Sequence, residues 1–375
     1  MNIAHFVGTL KKDDGVGRVI LKITEHAQTH GHHSMIVTGL PEDPEAFPAE
    51  VVKTTSFRPP FRSEYAVSLT IPKAVRSRLD EFQPDLIHLH SPDPIVKSAA
   101  KYAREKGIPI IATHHTDFAR YLPFYHLGWL EPAVWWILRR AYKQVDLVTT
   151  PSQVMADDLI THGIKKVQAF PWGVDLENFN PKFRSESWRS KFSNGNQKII
   201  LFLSRLVWEK DLMTLAKTYE LLEKNNINTV VVVAGEGPAK AELEKLMPEA
   251  KFVGYLKGEA LSNAYASADI FLFPSTTETF GNVTIEAMAS GIVPVVANAG
   301  GSKSIVQDGE NGLLSAPKDA DSFYQNVCLL IEDPEKYRRI RETGLRYVKD
   351  FTWENILGKL FELYEESGNK KKVPV

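Results

Sequence analysis

Ile270-Phe271-Leu272-Phe273-Pro274-Ser275-Thr276-Thr277-Glu278-Thr279-Phe280-Gly281-Asn282-Val283-Thr284-Ile285-Glu286-Ala287-Met288-Ala289-Ser290-Gly291 reads as a strand, a tight turn and a helix. Four large apolar residues in a row at 270–273, without alternation, suit a strand covered on both faces, as in a parallel sheet. The stretch from about 282 to 290 suits a helix closed by Gly291. The first N–H groups of that helix, on Phe280, Gly281, Asn282 and Val283, then lie at the carboxyl end of a strand. Open α/β sheets bind ligands at that end, and helix starts favour anions. Glu278, in the turn, can accept hydrogen bonds from hydroxyls at the mouth of such a site. Glu286, in the second turn of the helix, can accept from a diol deeper down. An anion between two polyol-binding carboxylates describes a nucleotide-sugar. The plainer alternative is a helix-start carboxylate plus a solvated helix face.

The same strand-then-helix grammar runs outward in both directions. Towards the N-terminus, short strands are expected at 3–7, 34–38, 85–90, 108–113, 147–150 and 167–170, with helices such as 17–29, 96–106 and 153–162 between them. A loop-rich stretch at 175–197 interrupts the series. The pattern restarts at 198–203 and continues with strands at 230–234, 251–253, 270–273 and 293–297. Two βα series of similar size predict an α/β protein of two facing, doubly wound Rossmann-like domains, 1–180 and 181–353. A last helix is expected over about 354–366, followed by a short polar tail, 368–375, that reads as disordered.

Composition narrows the function. Length, 375 residues, allows two domains, and 43% apolar content allows full cores. A formal charge of −1 offers no general attraction to nucleic acid. The single cysteine, Cys328, lies in an apolar helical stretch and reads as a core residue, so no disulfide framework exists and a reducing compartment fits. The start, Met1-Asn2-Ile3-Ala4-His5-Phe6-Val7, reads as a strand without the basic region of a signal peptide. No apolar run reaches the ~20 residues needed to span a bilayer. A cytoplasmic protein is expected, with any membrane contact peripheral on the inner face. All 11 histidines lie at or before His162.

Glu278 and Glu286 form an E-x7-E spacing that resembles the motif of retaining glycosyltransferases of family 4, and the likeness extends over about the whole chain. The resemblance implies the GT-B fold, with the helix at 354–375 crossing back to the N-terminal domain, the donor held mainly by the second domain and the acceptor by the first. It also gives roles to further residues. Arg205 and Lys210 form R-x4-K after the strand at 198–203, where both can converge on a diphosphate; two solvated cations are the alternative. His115, in His114-His115-Thr116-Asp117, maps to a histidine that faces the donor sugar. Gly15 and Gly17 occupy a loop that is usually G-G-x-G in the family and here has Asp14 in place of the first glycine; a plain βα turn is the alternative. Gly235, in Gly235-Glu236-Gly237, suits a tight turn near the ligand, and Gly254 and Leu256 map to backbone contacts with the nucleobase.

No metal is expected. His88, His90, His114 and His115 lack a suitably spaced carboxylate or cysteine, and the one D-x-D, Asp319-Ala320-Asp321, reads as a helix cap. Nor is a bound cofactor expected; the nucleotide-sugar is a co-substrate. The stretch 118–143 carries Tyr121, Phe124, Tyr125, Trp129, Trp135 and Trp136 with Arg139 and Arg140. It suits either a strip that touches membrane or a lipid-linked acceptor, or a packed helix. The activity expected is metal-independent, retaining transfer of a hexose from a donor of the GDP-mannose or UDP-glucose type to a hydroxyl of a lipid-linked or saccharide acceptor. The alternatives are a nucleotide-sugar 2-epimerase and a non-catalytic sugar-nucleotide-binding subunit.

Overall fold

The structure is a computed structural model, and it describes residues 1–59 and 65–372. Contacts divide the chain into two compact units, one of 1–122, 126–171 and 353–375, the other of 123–125 and 172–352.

The first unit holds β1 (Asn2–Leu10), β2 (His33–Pro41), β3 (Glu50–Lys53), the hairpin β4 (Thr55–Phe57) and β5 (Val67–Thr70), β6 (Leu86–Leu89), β7 (Ile110–Thr113), β8 (Leu147–Thr150) and β9 (Val167–Ala169). Seven of these form one sheet in the order β3-β2-β1-β6-β7-β8-β9. The second unit holds β10 (Lys198–Leu203), β11 (Thr229–Ala234), β12 (Lys251–Gly254), β13 (Ile270–Phe273), β14 (Val293–Ala297) and β15 (Leu313–Ser315), ordered β12-β11-β10-β13-β14-β15. Every pairing in both large sheets is parallel. Strand order reverses between β1 and β6 in one sheet and between β10 and β13 in the other. Loops from neighbouring strands diverge at such a reversal and leave a crevice at the carboxyl ends.

Side chains alternate across a strand, so the first sheet has two different faces. Ala4, Phe6, Met35, Val37, Ile87, Leu89, Ala112 and Val148 belong to one apolar cluster with Leu79, Tyr102, Leu138 and Leu159 from the helices. The opposite parity carries His5, Ser34, His88 and Thr113, all buried. Helix Trp353–Lys372 covers this polar face: its Tyr364 is fully buried, with the phenol 2.7 Å from His88 Nδ1. Hydrogen bonds continue from His88 Nε2 to Thr113 at 2.6 Å, from Thr113 to Thr149 at 2.7 Å, and from the Thr149 hydroxyl to the Ala112 carbonyl at 3.4 Å. Each hydroxyl has one proton, so the direction follows. Thr149 donates to the carbonyl, Thr113 donates to Thr149, His88 donates from Nε2, and His88 Nδ1 accepts from Tyr364. Tyr364→Phe should lower unfolding free energy by about 1–3 kcal/mol, because a buried acceptor loses its donor. Denaturant midpoints at unchanged slope measure this; an unshifted midpoint would show that the chain of bonds contributes nothing.

Several expectations change. The loop-rich stretch 175–197 contains helical turns at Pro181–Phe183 and Glu186–Arg189, each started by a polar cap, Asn180 or Ser185. The last helix runs to Lys372, so 368–372 are helical rather than disordered; the rest of the expected tail, 373–375, lies outside the described residues. Cys328 is half-buried, not a core residue, because its position on helix Ala320–Glu332 lies beside the buried Val327 rather than on that line. The short strands β3, β4, β5 and β15 and the helix Lys73–Phe82 escaped sequence reading: β15 has only three residues, and the others are brief and largely exposed or half-exposed, so no long apolar run marks them.

Candidate active site

The loops after β10 and β13 meet at the reversal of the second sheet. Lys210 Nζ lies 2.5 Å from Glu278 Oε1, with both side chains largely buried at 9% and 17% exposure. Ser275 Oγ donates to the same carboxylate oxygen at 3.0 Å, and Thr277 Oγ1 donates to the Glu209 carbonyl at 3.1 Å. These bonds hold the two loops together. Arg205 projects outward: its side chain is 66% exposed, and its Nη2 sits 3.4 Å from Glu209 Oε1. The structure therefore seats Lys210 firmly and leaves Arg205 room to move.

Helix Asn282–Ala289 begins at Gly281, whose φ of 100° suits glycine. A Cβ at Gly281 would also meet Ser302 Oγ at 2.9 Å. In the first turn Thr284 N donates to the Gly281 carbonyl at 2.9 Å; the N–H groups of Asn282 and Val283 have no intrahelical acceptor, and Gly281 supplies no capping side chain. Phe280 is buried beneath this start, at 3% exposure. In the second turn, Glu286 Oε2 accepts from the buried Tyr265 hydroxyl at 3.0 Å. That hydroxyl is held protonated first by burial and then by the charge of Glu286. Tyr265 thus anchors one carboxylate oxygen.

Backbone hydrogen bonds join the loop after β11 to the end of β12 and to the Arg205 loop. Gly235 N donates to Gly254 O at 2.8 Å, and Leu206 N donates to Glu236 O at 2.9 Å. A Cβ on Gly235 would stand 1.8 Å from the Ser204 carbonyl, so no side chain fits there. Gly254 has φ of 72° and Leu256 is half-buried just beyond it. Sequence reading missed Gly300, Gly301 and Ser302 after β14. Gly301 N donates to Glu278 O at 2.6 Å, and a Cβ on Gly301 would meet Phe280 backbone at 2.4 Å. The Gly300-Gly301 pair after an apolar strand was the available signal.

In the first unit, Asp14 caps helix Gly15–Thr29 by accepting from Gly17 N at 2.5 Å. A Cβ on Gly17 would lie 1.7 Å from the Lys11 carbonyl, so this glycine answers to the turn itself, whereas Gly15 faces open space. At the end of β7 the two adjacent histidines turn opposite ways. His114 Nδ1 meets the Tyr142 hydroxyl at 2.8 Å beside the apolar core, and burial pushes its pKa down to about 4. His115 Nε2 meets His90 Nδ1 at 3.0 Å, and burial pushes its pKa down to about 3. Asp93, which the sequence reading passed over, stands by the reversal of this sheet. Its Oδ2 accepts from Ser68 N at 2.9 Å and lies 2.7 Å from where a Cβ on Gly8 would be. Burial raises its pKa to about 6.

Among the described residues, two groups have metal-ligand proximity: His5, His88 and His90, and His26, His30 and Glu354. Strand pairing assembles the first group, which linear spacing could not reveal, but its ring nitrogens are already engaged in hydrogen bonds to one another, to Thr113 and to Tyr364. Among the described side chains the aromatic stretch splits in two; those of Tyr121, Phe124 and Tyr125 lie outside the described ones. Trp135 is buried and stacks on His162 at 3.7 Å, so it is a packing residue. Trp129 and Trp136 are exposed, at 74% and 58%, with the Arg140 guanidinium 5.6 Å from the Trp136 ring centre.

Two doubly wound parallel sheets, each with its loops gathered at a strand-order reversal, are the architecture of the GT-B fold. Residues 14–178 match the family described as Glycosyltransferase Family 4, and residues 184–346 match Glycosyl transferases group 1. The chain belongs to glycosyltransferase family 4. It is 33% identical over 359 residues to a GDP-mannose-dependent alpha-mannosyltransferase of Corynebacterium glutamicum, across 94% of this chain and 86% of that one. It is 34% identical over 344 residues to the sulfoquinovosyl transferase SQD2 of Arabidopsis thaliana, across 88% of this chain and 66% of the plant protein. The crystal structure of a glycosyltransferase from Rickettsia africae superposes with a TM-score of 0.78 over 98% of each chain at 18% identity, a likeness of fold.

Proposed function

We propose that this glycosyltransferase transfers a hexose from a nucleotide-sugar to a hydroxyl of a lipid-linked or glycan acceptor with retention, forming an α-linkage, without a metal or cofactor. The observation that carries the reading is the Lys210–Glu278 pair beside the uncapped helix start at Gly281. The diphosphate is assigned to that helix start, with Lys210 and Arg205 neutralising the charge that grows as it departs. Glu286 is assigned to the ribose, Glu278 to the hexose, and Gly235, Gly254 and Leu256 to the nucleoside through backbone contacts. His115 keeps the role the resemblance gives it, a hydrogen bond to a hexose hydroxyl. The anomeric carbon–phosphate oxygen bond breaks, the acceptor oxygen bonds to that carbon on the same face, and the acceptor's proton passes to the departing phosphate. A GDP-mannose-type donor is favoured by what the Corynebacterium relative's name states of that protein.

The test is turnover and binding with GDP- and UDP-sugars in the presence and absence of EDTA. Turnover that survives chelation with one nucleotide class is expected. Complete loss in EDTA, rescued by a divalent ion, would overturn the metal-free mechanism. Free hexose released without an acceptor and with inverted C2 would favour the epimerase.

A lipid-linked acceptor rests on the exposed Trp129, Trp136 and Arg140. Among the described residues no helix is long and apolar enough to cross a membrane. Co-sedimentation with anionic vesicles is expected, and Arg140→Gln should weaken it about fivefold, since a basic residue near such a surface contributes about 1 kcal/mol. Trp136→Ala should weaken it too, while Trp135→Ala should mainly lower the melting temperature. Vesicles that pellet without the protein would leave a soluble saccharide as the acceptor.

A further inference from the structure

The buried His5 and His90 of the first sheet and the half-buried His115 form a chain that the proposed chemistry does not use. His5 Nδ1 lies 3.1 Å from His90 Nε2, and His90 Nδ1 lies 3.0 Å from His115 Nε2. At the far end, His5 Nε2 lies 3.5 Å from the Ser34 hydroxyl. Strand register explains the assembly: His5 of β1 pairs with His88 of β6, and His90 is the next residue on the same face, reaching towards His115 beyond β7.

We propose that His5 and His90 are positioning residues that fix His115 as the neutral tautomer protonated on Nδ1, so that it can donate from that nitrogen and cannot act as a base through it. This inference rests on the role proposed for His115. Proton counting limits the choices. Burial lowers the pKa of all three rings, to about 3 for His5 and His115 and well below the ordinary value for His90. At neutral pH three uncharged rings therefore share three ring protons. Each of the two inter-ring hydrogen bonds takes one. The third sits at an end, on His5 Nε2 or on His115 Nδ1. A buried N–H without a good acceptor costs more than a lone pair without a donor. The link to Ser34, at 3.5 Å, is the longest of the chain and sits at fully buried His5, whereas His115 is only half-buried. The lone pair therefore belongs at His5 and the proton at His115. His5 then donates to His90, and His90 donates to His115. A proton leaving the acceptor hydroxyl finds no base on Nδ1 of this ring, which agrees with its passage to the departing phosphate.

The test is long-range proton–nitrogen correlation on the full chain with labelled histidine at neutral pH, assigned with His115→Gln. Wild type should show His115 neutral and protonated on Nδ1. His5→Asp and His5→Asn have nearly the same shape and opposite demands. A carboxylate only accepts, so it should turn His90 around and move the His115 proton to Nε2. The amide can still donate, so His5→Asn should keep the wild-type tautomer. Donor turnover should fall about tenfold or more in His5→Asp, the scale of one lost hydrogen bond, with nucleoside diphosphate affinity unchanged. Turnover in His5→Asn should stay near wild type. If the aspartate variant does not fold, the wild-type and His90→Phe spectra decide, because His90→Phe should leave His115 in mixed tautomers. The proposal is overturned if wild-type His115 is charged or protonated on Nε2, if His90→Phe or the two His5 variants leave its tautomer alone, or if the purified chain holds a stoichiometric metal on His5, His88 and His90. If His115→Ala keeps full turnover, the hexose role of His115 fails instead, and the spectra still judge the chain.

Discussion

Lys210→Ala should lower turnover of the nucleotide-sugar by about a hundred- to a thousandfold, the range seen when one fixed group that stabilises developing negative charge is removed. Lys210 is buried against Glu278 at 2.5 Å, so its position is set before a ligand arrives. Arg205→Ala should lose less, because its exposed side chain must be ordered on binding. Lys210→Arg should not restore activity, since a planar guanidinium cannot replace a compact ammonium in so enclosed a place. Removing the lysine also strands the Glu278 carboxylate, which costs stability by up to about 3 kcal/mol. Melting curves must accompany the kinetics, and turnover must be read where the variant is folded. Unchanged turnover in both alanine variants would remove the diphosphate assignment.

Glu286→Gln should weaken binding of the free nucleoside diphosphate about ten- to a hundredfold, the value of one or two hydrogen bonds to a charged acceptor. Its amide oxygen can still accept from the Tyr265 hydroxyl, so the fold around the helix should persist. Glu278→Gln should behave differently. Free nucleotide should bind nearly as before while turnover of the intact donor falls, because this carboxylate is assigned to the hexose. Isothermal titration with the nucleotide, set beside steady-state turnover, separates the two. If both variants lose only nucleotide affinity, or neither changes, the division of roles between the carboxylates is wrong.

Much of this was written locally. The apolar run at β13, the Phe280-Gly281-Asn282 turn and Gly291 are signals whose causes lie within a few residues, so strand, turn and helix could be read from the chain itself. The same holds for the cap at Asp319, whose side chain accepts from Ser322 N at 3.2 Å. The family motifs had a similar legibility, since E-x7-E and R-x4-K are short spacings on single βα units. Among the elements that went unread, β3, β4, β5, β15, Lys73–Phe82 and Pro334–Tyr347 are ones where brevity or exposure removes the apolar pattern.

By itself, the sequence determined that this chain builds two parallel α/β domains and places Glu278, Lys210 and Arg205 in loops after strands and Glu286 in the helix that follows. Only tertiary structure decided which of these groups touch. Lys210 meets Glu278 across 68 positions, His5 meets His90 across 85, and Tyr364 meets His88 across 276. Only tertiary structure separated the buried Trp135 from the exposed Trp136, and found that Gly17 and Gly301 are required by neighbouring carbonyl and backbone atoms. The reason is physical. Local conformation answers to steric and hydrogen-bond preferences among near neighbours, whereas side-chain pairing answers to strand order, which is set by burial of the whole sheet.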